Sequence, residues 1–264
     1  MKRLIYQVCL GENKNSKLYK HCINSVSKYC EKYGITHHIL RQPVLKIKPD
    51  PFSGNRSTES YVKHGGYLPI YEKEASFDLL KDYDQIAIID SDIYVKETSP
   101  NIFEEFGTEY AWGGVVEREM PITEDYCYKI RNYSMMQYGI LNNKKIDFKY
   151  NNLGYEFYNM GLILINTSKF IPFLKGQSAR DFLLRFEFRD FIDGIGNWKW
   201  STDQTLLNYF LKKYNIPTKH LDWKWNGLYT ANTKIDECHF IHFFLKDKLP
   251  SGGENVEELM RKIL

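Results

Sequence analysis

Two aspartates that lie one residue apart, directly after an apolar run, have the types and spacing of metal ligands. Asp90 and Asp92 follow Gln85–Ile89, whose composition is that of a buried strand. Because alternate side chains of an extended chain point the same way, both carboxylates can face one spot just beyond that strand. Two such carboxylates repel each other unless a cation lies between them, and Mg²⁺ or Mn²⁺ typically completes its coordination with phosphate oxygens and water. The pair therefore predicts a divalent metal site that accepts a diphosphate.

The same Asp-x-Asp spacing also occurs in surface turns. The surrounding elements therefore distinguish a metal site from a surface turn. Residues 4–10 have the pattern of a buried strand. Apolar residues between 18 and 33 recur at helical spacing, and Gly34 is placed to end that helix. A short strand is predicted next, at Thr36–Leu40. Strand, helix and strand in succession build parallel sheets. Open α/β sheets bind ligands beyond the carboxyl ends of their strands, which favours the metal site.

The rest of the chain predicts further elements of the same α/β architecture. Residues 41–66 contain three prolines and three glycines among polar residues and predict a long loop. The last segment, 254–264, carries apolar residues on one helical face and is expected to dock on the body of the protein. The remaining predicted strands are 110–116, 160–165 and 238–244, and the remaining predicted helices are 70–80 and 202–214.

Composition indicates a folded protein and excludes several classes of partner. The chain has 264 residues and a net charge of +3 without a concentrated basic stripe, so nucleic acid is not an expected partner. Its five cysteines are odd in number and lack CxxC spacing, which argues against a disulfide framework or a zinc site and favours a reducing compartment. No stretch predicts a signal peptide or a membrane span. We therefore expect a cytoplasmic protein.

A set of motifs along most of the chain resembles family 8 of the glycosyltransferases. The segment from Tyr71 to Asp92, containing Tyr-Glu-Lys and the Asp-x-Asp pair, is similar to the donor site of that family, and Asn159-Met-Gly161 precedes a strand as its Asn-x-Gly does. Asp203-Gln204 and Trp225-Asn226 follow in the family's order. His242-Phe is similar to the start of its closing His-Phe-x-Gly-x-x-Lys-Pro motif. The resemblance spans about residues 4–248.

The resemblance implies a single GT-A-like α/β/α domain over 1–264 with a mixed, mostly parallel central sheet. It implies that the nucleotide binds in about 1–109 and that about 110–250 forms the sugar and acceptor side. It also implies transfer of a sugar from a nucleoside diphosphate donor, favouring a UDP-sugar, to a hydroxyl acceptor that we expect to be a glycan. His242 joins Asp90 and Asp92 as metal ligand, although a structural histidine and His239 remain alternatives. An imidazole ligand favours Mn²⁺ over Mg²⁺.

The resemblance and the residue types together define a candidate site. Lys73 either neutralises donor phosphate or orients an aspartate carboxylate, and Asn159 suits sugar hydroxyls. Four tryptophans near Asp203 include candidates for stacking on sugar rings, with at least two expected in the core. The candidate catalytic residues are Asp203 and Gln204; the candidate donor-binding residues are Tyr6, Lys73, Ser91, Asn159, Gly161, Lys246 and Lys248; the candidate acceptor-binding residues are Trp223 and Trp225.

The sequence departs from the family pattern at three positions. Lys73 stands where the family usually has arginine, which keeps a cation and loses bidentate geometry. Leu245 and Leu249 replace the glycine and the proline of the closing motif, and glycine there permits close backbone approach to phosphate. Lys246 or Lys248 is expected to reach the diphosphate instead.

Two rival functions use part of the same pattern. A phosphohydrolase of the haloacid dehalogenase type also places Asp-x-Asp after a buried strand, but needs Ser or Thr where this chain has Tyr94. A non-catalytic carbohydrate-binding module would explain the aromatic residues, yet has no need of three metal ligands. Within the transferase hypothesis, the family implies retention of anomeric configuration, whereas Asp203 acting as a general base would give inversion.

Overall fold

The apolar runs of the sequence form the strands of a central sheet in this computed structural model, which describes residues 1–143 and 146–263. Strands within that part of the chain are β1 Arg3–Val8, β2 Thr36–Leu40, β3 Gln85–Ile89, β4 Ile93–Val95, β5 Trp112–Val116, β6 Tyr150–Asn151, β7 Gly154–Tyr155, β8 Tyr158–Asn166, β9 Thr218–His220, β10 Gly227–Leu228 and β11 Phe240–His242. Six of them form one sheet in the order β2-β1-β3-β8-β5-β9.

Helices surround that sheet. The α-helices are α1 Lys17–Tyr33, α2 Asn55–His64, α3 Ile102–Phe106, α4 Glu124–Asn143, α5 Thr167–Leu174, α6 Ala179–Leu183, α7 Arg189–Asp193, α8 Asp203–Lys213 and α9 Val256–Met260. The 3-10 helices are Gly11–Lys14, Pro69–Leu79, Glu117–Glu119, Phe186–Phe188, Gly196–Trp198, Trp223–Asn226, Ile235–Glu237, Lys246–Lys248 and Pro250–Gly253. No helix in the described part of the chain is both long and apolar enough to cross a membrane.

The direction of the strands brings several strand ends to one edge of the sheet. β1 is parallel to β2 and β3, β8 is antiparallel to both β3 and β5, and β9 is parallel to β5. Three of the five pairings are therefore parallel, which confirms the predicted mixed, mostly parallel α/β sheet. Because β8 runs against β3 and β5, its first residues meet their last ones. Asp90, Glu117 and Asn159 consequently share an edge.

The sheet has an apolar core on each face, as the alternation of strand side chains requires. On β3, Ile86 and Ile88 belong to one buried cluster, whereas Ala87 and Ile89 belong to the other. The full burial of β3 explains its continuous apolar run. Helices that cover both faces give the three-layer α/β/α arrangement.

A small second sheet positions the late histidine. It has the order β10-β11-β4, and β11 is antiparallel to β4 with His242 opposite Ile93. Since β4 follows Asp92 directly, this pairing brings a residue from near the end of the chain beside the aspartates. The predicted strand over 238–244 is real, although only Phe240–His242 forms it.

The predicted loop at 41–66 was wrong in part, because α2 lies within it. Its breakers flank the helix instead of interrupting it: Gly54 precedes the helix and Gly65 ends it in the left-handed region at φ 62°. Tyr61 and Val62 on this helix are exposed, so the sequence has no periodic apolar face here that would predict a helix. The helix predicted at 70–80 forms as a 3-10 helix.

The C-terminal segment docks on the body of the protein as predicted. α9 is shorter than the predicted helix, and Leu264 lies outside the described residues. Leu259, Met260 and Ile263 are buried in one cluster with Leu18 of α1.

Candidate active site

Asp90, Asp92 and His242 form a compact group of possible metal ligands. One ligand atom from each residue lies within 4.8 Å of the others. His242 Nε2 is 3.3 Å from Asp92 Oδ1 and 3.7 Å from Asp90 Oδ2. Two carboxylates and one imidazole suit a divalent transition ion such as Mn²⁺. The three residues fit the metal that the sequence predicts.

Backbone contacts hold the three ligands in place. The Asp90 N–H donates to Gly161 O at 2.9 Å, and the Phe243 N–H donates to Asp92 O at 2.9 Å. Gly161 also lies against the imidazole, since a Cβ there would be 2.5 Å from His242 Cε1. The site therefore requires glycine at 161 because a side chain would displace His242.

The charges within this group stabilise one another. Burial disfavours charge on both Asp92 and His242, but the attraction between the two opposite charges outweighs the effect of burial on each of them. The pKa of Asp92 is lowered, mainly by His242, and the pKa of His242 is raised, mainly by Asp92. The Tyr19 hydroxyl also donates to Asp92 Oδ2 at 3.4 Å. The group is thus built to hold negative carboxylates next to a cation.

Lys73 links the metal ligands to the candidate catalytic aspartate. Its Nζ forms an ion pair with Asp203 Oδ2 at 2.7 Å, donates to Asp90 Oδ1 at 3.0 Å and donates to Met160 O at 2.9 Å. Burial disfavours its charge, but Asp203 and Asp90 outweigh burial and raise the pKa of Lys73. Of the two roles expected for Lys73, this geometry favours orienting the carboxylates.

Asp203 and Gln204 begin α8, with Thr202 as N-cap. The helix N-terminus favours a carboxylate at this position. Burial raises the pKa of Asp203, although Lys73 opposes the shift. Gln204 Oε1 accepts a hydrogen bond from the Met160 N–H at 3.2 Å, which ties the start of α8 to β8.

Asn159 lies at the start of β8 in a buried hydrogen-bond network. Its Nδ2 donates to Glu117 Oε2 at 2.8 Å, and its Oδ1 accepts from the Gly161 N–H and from Asn226 Nδ2. The Tyr126 hydroxyl donates to the other Glu117 oxygen at 2.5 Å. Burial raises the pKa of Glu117, and these hydrogen bonds oppose the shift.

These residues open into one cavity of about 670 Å³. Most of the predicted site residues line it: Lys73, Asp90, Asp92, Asn159, Gly161, Asp203, Gln204, His242 and Lys248. Other lining residues include Ile130 of α4 and Trp200, whose exposed fraction is 62%. The cavity thus has a strand-end side, which carries the candidate metal ligands, and a helix side, where α4 contributes apolar side chains and Lys129, and the 3-10 helix Lys246–Lys248 contributes Lys248.

Five predicted site residues do not line this cavity. Tyr6 is 2% exposed and stacks on His38, and the Ser91 hydroxyl donates to Val8 O at 2.8 Å. Lys246 donates to Asn13 Oδ1 at 3.0 Å and lies 3.8 Å from the ring centre of Tyr19.

The tryptophans predicted to bind the acceptor, Trp223 and Trp225, do not line the cavity. Trp225 is 3% exposed and packs on Phe240, and Trp223 is partly buried against the core clusters. An acceptor-binding role for Trp223 and Trp225 does not fit this placement. As predicted, two of the four tryptophans, Trp198 and Trp225, are buried.

Sequence reasoning missed Glu117, Tyr126, Lys129 and the position of Trp200. Glu117 follows β5, so the strand-end argument that found Asp90 applies to it equally. Tyr126 and Lys129 gave no signal, because nothing in the sequence places α4 over the cavity. Trp200 was among four similar candidates, and only the fold separates it from the others.

Comparison with known proteins identifies the fold. No protein-family model and no curated protein matches the sequence. Among solved structures, a glycosyltransferase involved in the glycosylation of the major capsid of PBCV-1 is similar at 12% identity and a TM-score of 0.55, covering 98% of this chain and 100% of that one. The galactosyltransferase LgtC, in complex with donor and acceptor sugar analogs, is similar at 13% identity and a TM-score of 0.52, covering 98% and 96%.

This chain has the GT-A fold. The match extends over nearly the whole chain. Identity this low establishes architecture alone, and the activity has to be argued from the side chains of the cavity.

Proposed function

We propose that this protein is a metal-dependent glycosyltransferase that transfers a sugar from a nucleoside diphosphate donor to a hydroxyl group of an acceptor. The observation that carries the proposal is the convergence of Asp90, Asp92 and His242 with Asp203 and Gln204 in one cavity of about 670 Å³. A UDP-sugar donor and a glycan acceptor follow from the resemblance to glycosyltransferase family 8.

The strand-end side of the cavity suits the departing diphosphate. Negative charge gathers on that group as the glycosidic bond breaks, and fixed positive charge lowers the energy of the transition state. Asp90, Asp92 and His242 would hold Mn²⁺ or Mg²⁺, which when bound supplies Lewis-acid stabilisation of the phosphate oxygens. Lys248 lines the same cavity and adds a cation of the chain itself. Lys73 keeps Asp90 and Asp203 in position.

The other residues of the cavity suit the two sugars. Asp203, Gln204 and Asn159 present polar atoms beside the metal group. Trp200, at 62% exposure on the cavity wall, offers a flat face that can cover the apolar side of an acceptor sugar. We assign acceptor stacking to Trp200 in place of Trp223 and Trp225.

We favour retention of anomeric configuration. A general base must accept a proton from the acceptor hydroxyl, and the Asp203 carboxylate is already paired with the Lys73 ammonium at 2.7 Å. That ion pair suits a residue that positions sugar hydroxyls. The order of Asn159, Asp203-Gln204 and His242 along the chain also agrees with the retaining family.

The rival functions have less support. A haloacid dehalogenase-type phosphohydrolase requires Ser or Thr at the position that Tyr94 occupies here, and Tyr94 stacks on His21. A non-catalytic carbohydrate-binding module does not explain three converging metal ligands.

One experiment tests the activity and its stereochemistry together. A panel of nucleotide-sugars is incubated with the protein and Mn²⁺, and proton NMR follows slow hydrolysis of the donor. We expect release of sugar from one UDP-sugar, with the anomeric configuration of the donor in the fresh product. Asp92→Asn and His242→Ala should each lose this release and bind Mn²⁺ with UDP at least about 100-fold more weakly, since loss of a ligand exceeds the loss of an outer-shell partner.

Tight binding of UDP with Mn²⁺ in both variants would disprove the shared metal site. Binding of donors without any turnover would favour the non-catalytic module. Inverted product would make Asp203 the catalytic base.

A further inference from the structure

Two lysines that come from different elements line the cavity together. Lys129 lies on α4, and Lys248 ends the 3-10 helix Lys246–Lys248 that follows β11. Both border the cavity that contains Asp90, Asp92 and His242, and both side chains are exposed.

The fold holds α4 with this face toward the cavity. Tyr126, Lys129, Ile130 and Tyr133 all line it, and their spacing of three and four residues places them on one side of the helix. Tyr126 packs edge-on against Phe244, with 5.6 Å between ring centres. Since Phe244 lies four residues before Lys248, this contact ties α4 to the segment that carries the second lysine.

Positive charge is concentrated where Lys129 and Lys248 border the cavity. Contact with Lys248 and repulsion from its charge lower the pKa of Lys129, and the carboxylates of Asp125 and Asp247 oppose this shift without cancelling it. Among the described residues, neither lysine has a carboxylate oxygen within 4.0 Å, whereas Lys73 has two such partners. Neighbouring like charges that form no direct ion pair among the described residues favour binding of an anion between them.

The charges of the cavity leave these lysines for the phosphates. Asp90 and Asp92 would balance a divalent metal ion, and Lys73 already balances Asp203. Lys246 is engaged with Asn13 and Tyr19. Once Asp90 and Asp92 balance the metal ion, little of its positive charge is left to neutralise a diphosphate. Lys129 and Lys248 can supply the missing positive charge.

We propose that Lys129 and Lys248 form a two-lysine clamp that binds both phosphates of the donor and connects α4 to the closing segment of the site. The clamp rests on the proposed function and adds Lys129, a residue outside every motif of the sequence. A group with one phosphate engages one ammonium, whereas a diphosphate spans both. The clamp therefore selects nucleoside diphosphates over monophosphates.

Pyrophosphate tests the clamp independently of the base and the sugar. Calorimetry measures binding of pyrophosphate and of orthophosphate, each with Mn²⁺, to the wild type, Lys129→Gln, Lys248→Gln and Arg131→Gln. We expect each lysine variant to lose about tenfold in pyrophosphate affinity, the size of one charge-assisted hydrogen bond, and less than threefold in orthophosphate affinity. Added salt should weaken the wild type more than either lysine variant.

Arg131 is the matched control, because it is an exposed cation two residues along α4, on the opposite side of the helix. Arg131→Gln should bind both anions as the wild type does. Full pyrophosphate affinity in Lys129→Gln would disprove the clamp while leaving the transferase intact. A wild type that binds neither pyrophosphate nor UDP with Mn²⁺ would contradict the proposed function itself.

Discussion

The two sides of the cavity hold their charges in different ways. On the strand-end side, Lys73 and Asp203 are buried and paired at 2.7 Å, and Asp90 and Asp92 are held by backbone hydrogen bonds. On the helix side, Lys129 and Lys248 are exposed and have no acidic partner within 4.0 Å among the described residues. The strand-end side is built in advance of any ligand, whereas the helix side carries charges that a ligand has to organise.

This difference separates the stability of the protein from its affinity for ligands. Buried charges that lose a partner cost folding free energy, because the remaining charge stays away from water. Exposed charges cost little in the folded protein and act mainly when an anion arrives. Substitutions on the two sides should therefore be read by different measurements.

Lys73→Met, on the strand-end side, should have the largest effect on the free energy of unfolding. It leaves the buried Asp203 carboxylate without its cation, so we expect a loss of about 3–5 kcal/mol in the free energy of unfolding. Urea denaturation measures this loss. The control on the helix side, Lys129→Gln, should change the same quantity by less than about 0.5 kcal/mol. Equal effects of the two substitutions would remove the distinction between the sides.

Gly161→Ala should have an intermediate effect, because its Cβ would lie 2.5 Å from His242 Cε1 and 2.6 Å from Nδ1. Displacement of that imidazole should lower Mn²⁺ affinity by about 10- to 100-fold, as loss of ligand orientation does elsewhere. Calorimetric titration with Mn²⁺ and UDP measures it. Gly139→Ala on α4 is the control, since its Cβ meets Tyr155 at an ordinary 3.6 Å. Unchanged Mn²⁺ affinity in Gly161→Ala would show that His242 is not a ligand.

Leu245→Gly, on the closing segment, should have the smallest effect on the free energy of unfolding. Leu245 adopts the left-handed region at φ 55° and ψ 62°, where a side chain costs about 1–2 kcal/mol. Relief of that cost is offset by the greater chain entropy of glycine and by lost contacts of a side chain 39% exposed. The free energy of unfolding should change by less than about 1 kcal/mol.

The second departure from the closing motif serves as the control for Leu245. Leu249 is 5% exposed in a core cluster, so Leu249→Ala should cost about 2–5 kcal/mol in the same urea experiment. A loss above about 2 kcal/mol for Leu245→Gly would mean that the Leu245 side chain is part of the rigid structure.

The left-handed backbone at Leu245 bears on the departure from the closing motif at this position. Glycine adopts this conformation without steric cost, and the family pattern has glycine at the corresponding position. Leucine keeps the same backbone here. The local conformation of the closing segment is therefore maintained by its surroundings, not by the residue type.

Local sequence patterns were sufficient to predict several elements of this protein and one pair of site residues. The apolar run before Asp90 predicted β3, and the two-residue spacing predicted a pair of carboxylates at its end, because strand periodicity depends only on the chain itself. Gly34 ends α1 in the left-handed region as predicted. The prolines and glycines of residues 41–66 led to a wrong loop prediction, because they flank α2, a helix without a buried apolar face.

The tertiary structure decided which distant residues meet. β11 pairs with β4 and brings His242 to Asp92, and α4 brings Lys129 to the cavity that Lys248 also lines; neither arrangement depends on sequence spacing. The sequence contained four similar tryptophans, and packing buried Trp225 while it exposed Trp200 on the cavity. A side chain's type and local spacing state what chemistry it can perform, but burial and partners come from segments far along the chain, so only the fold assigns them.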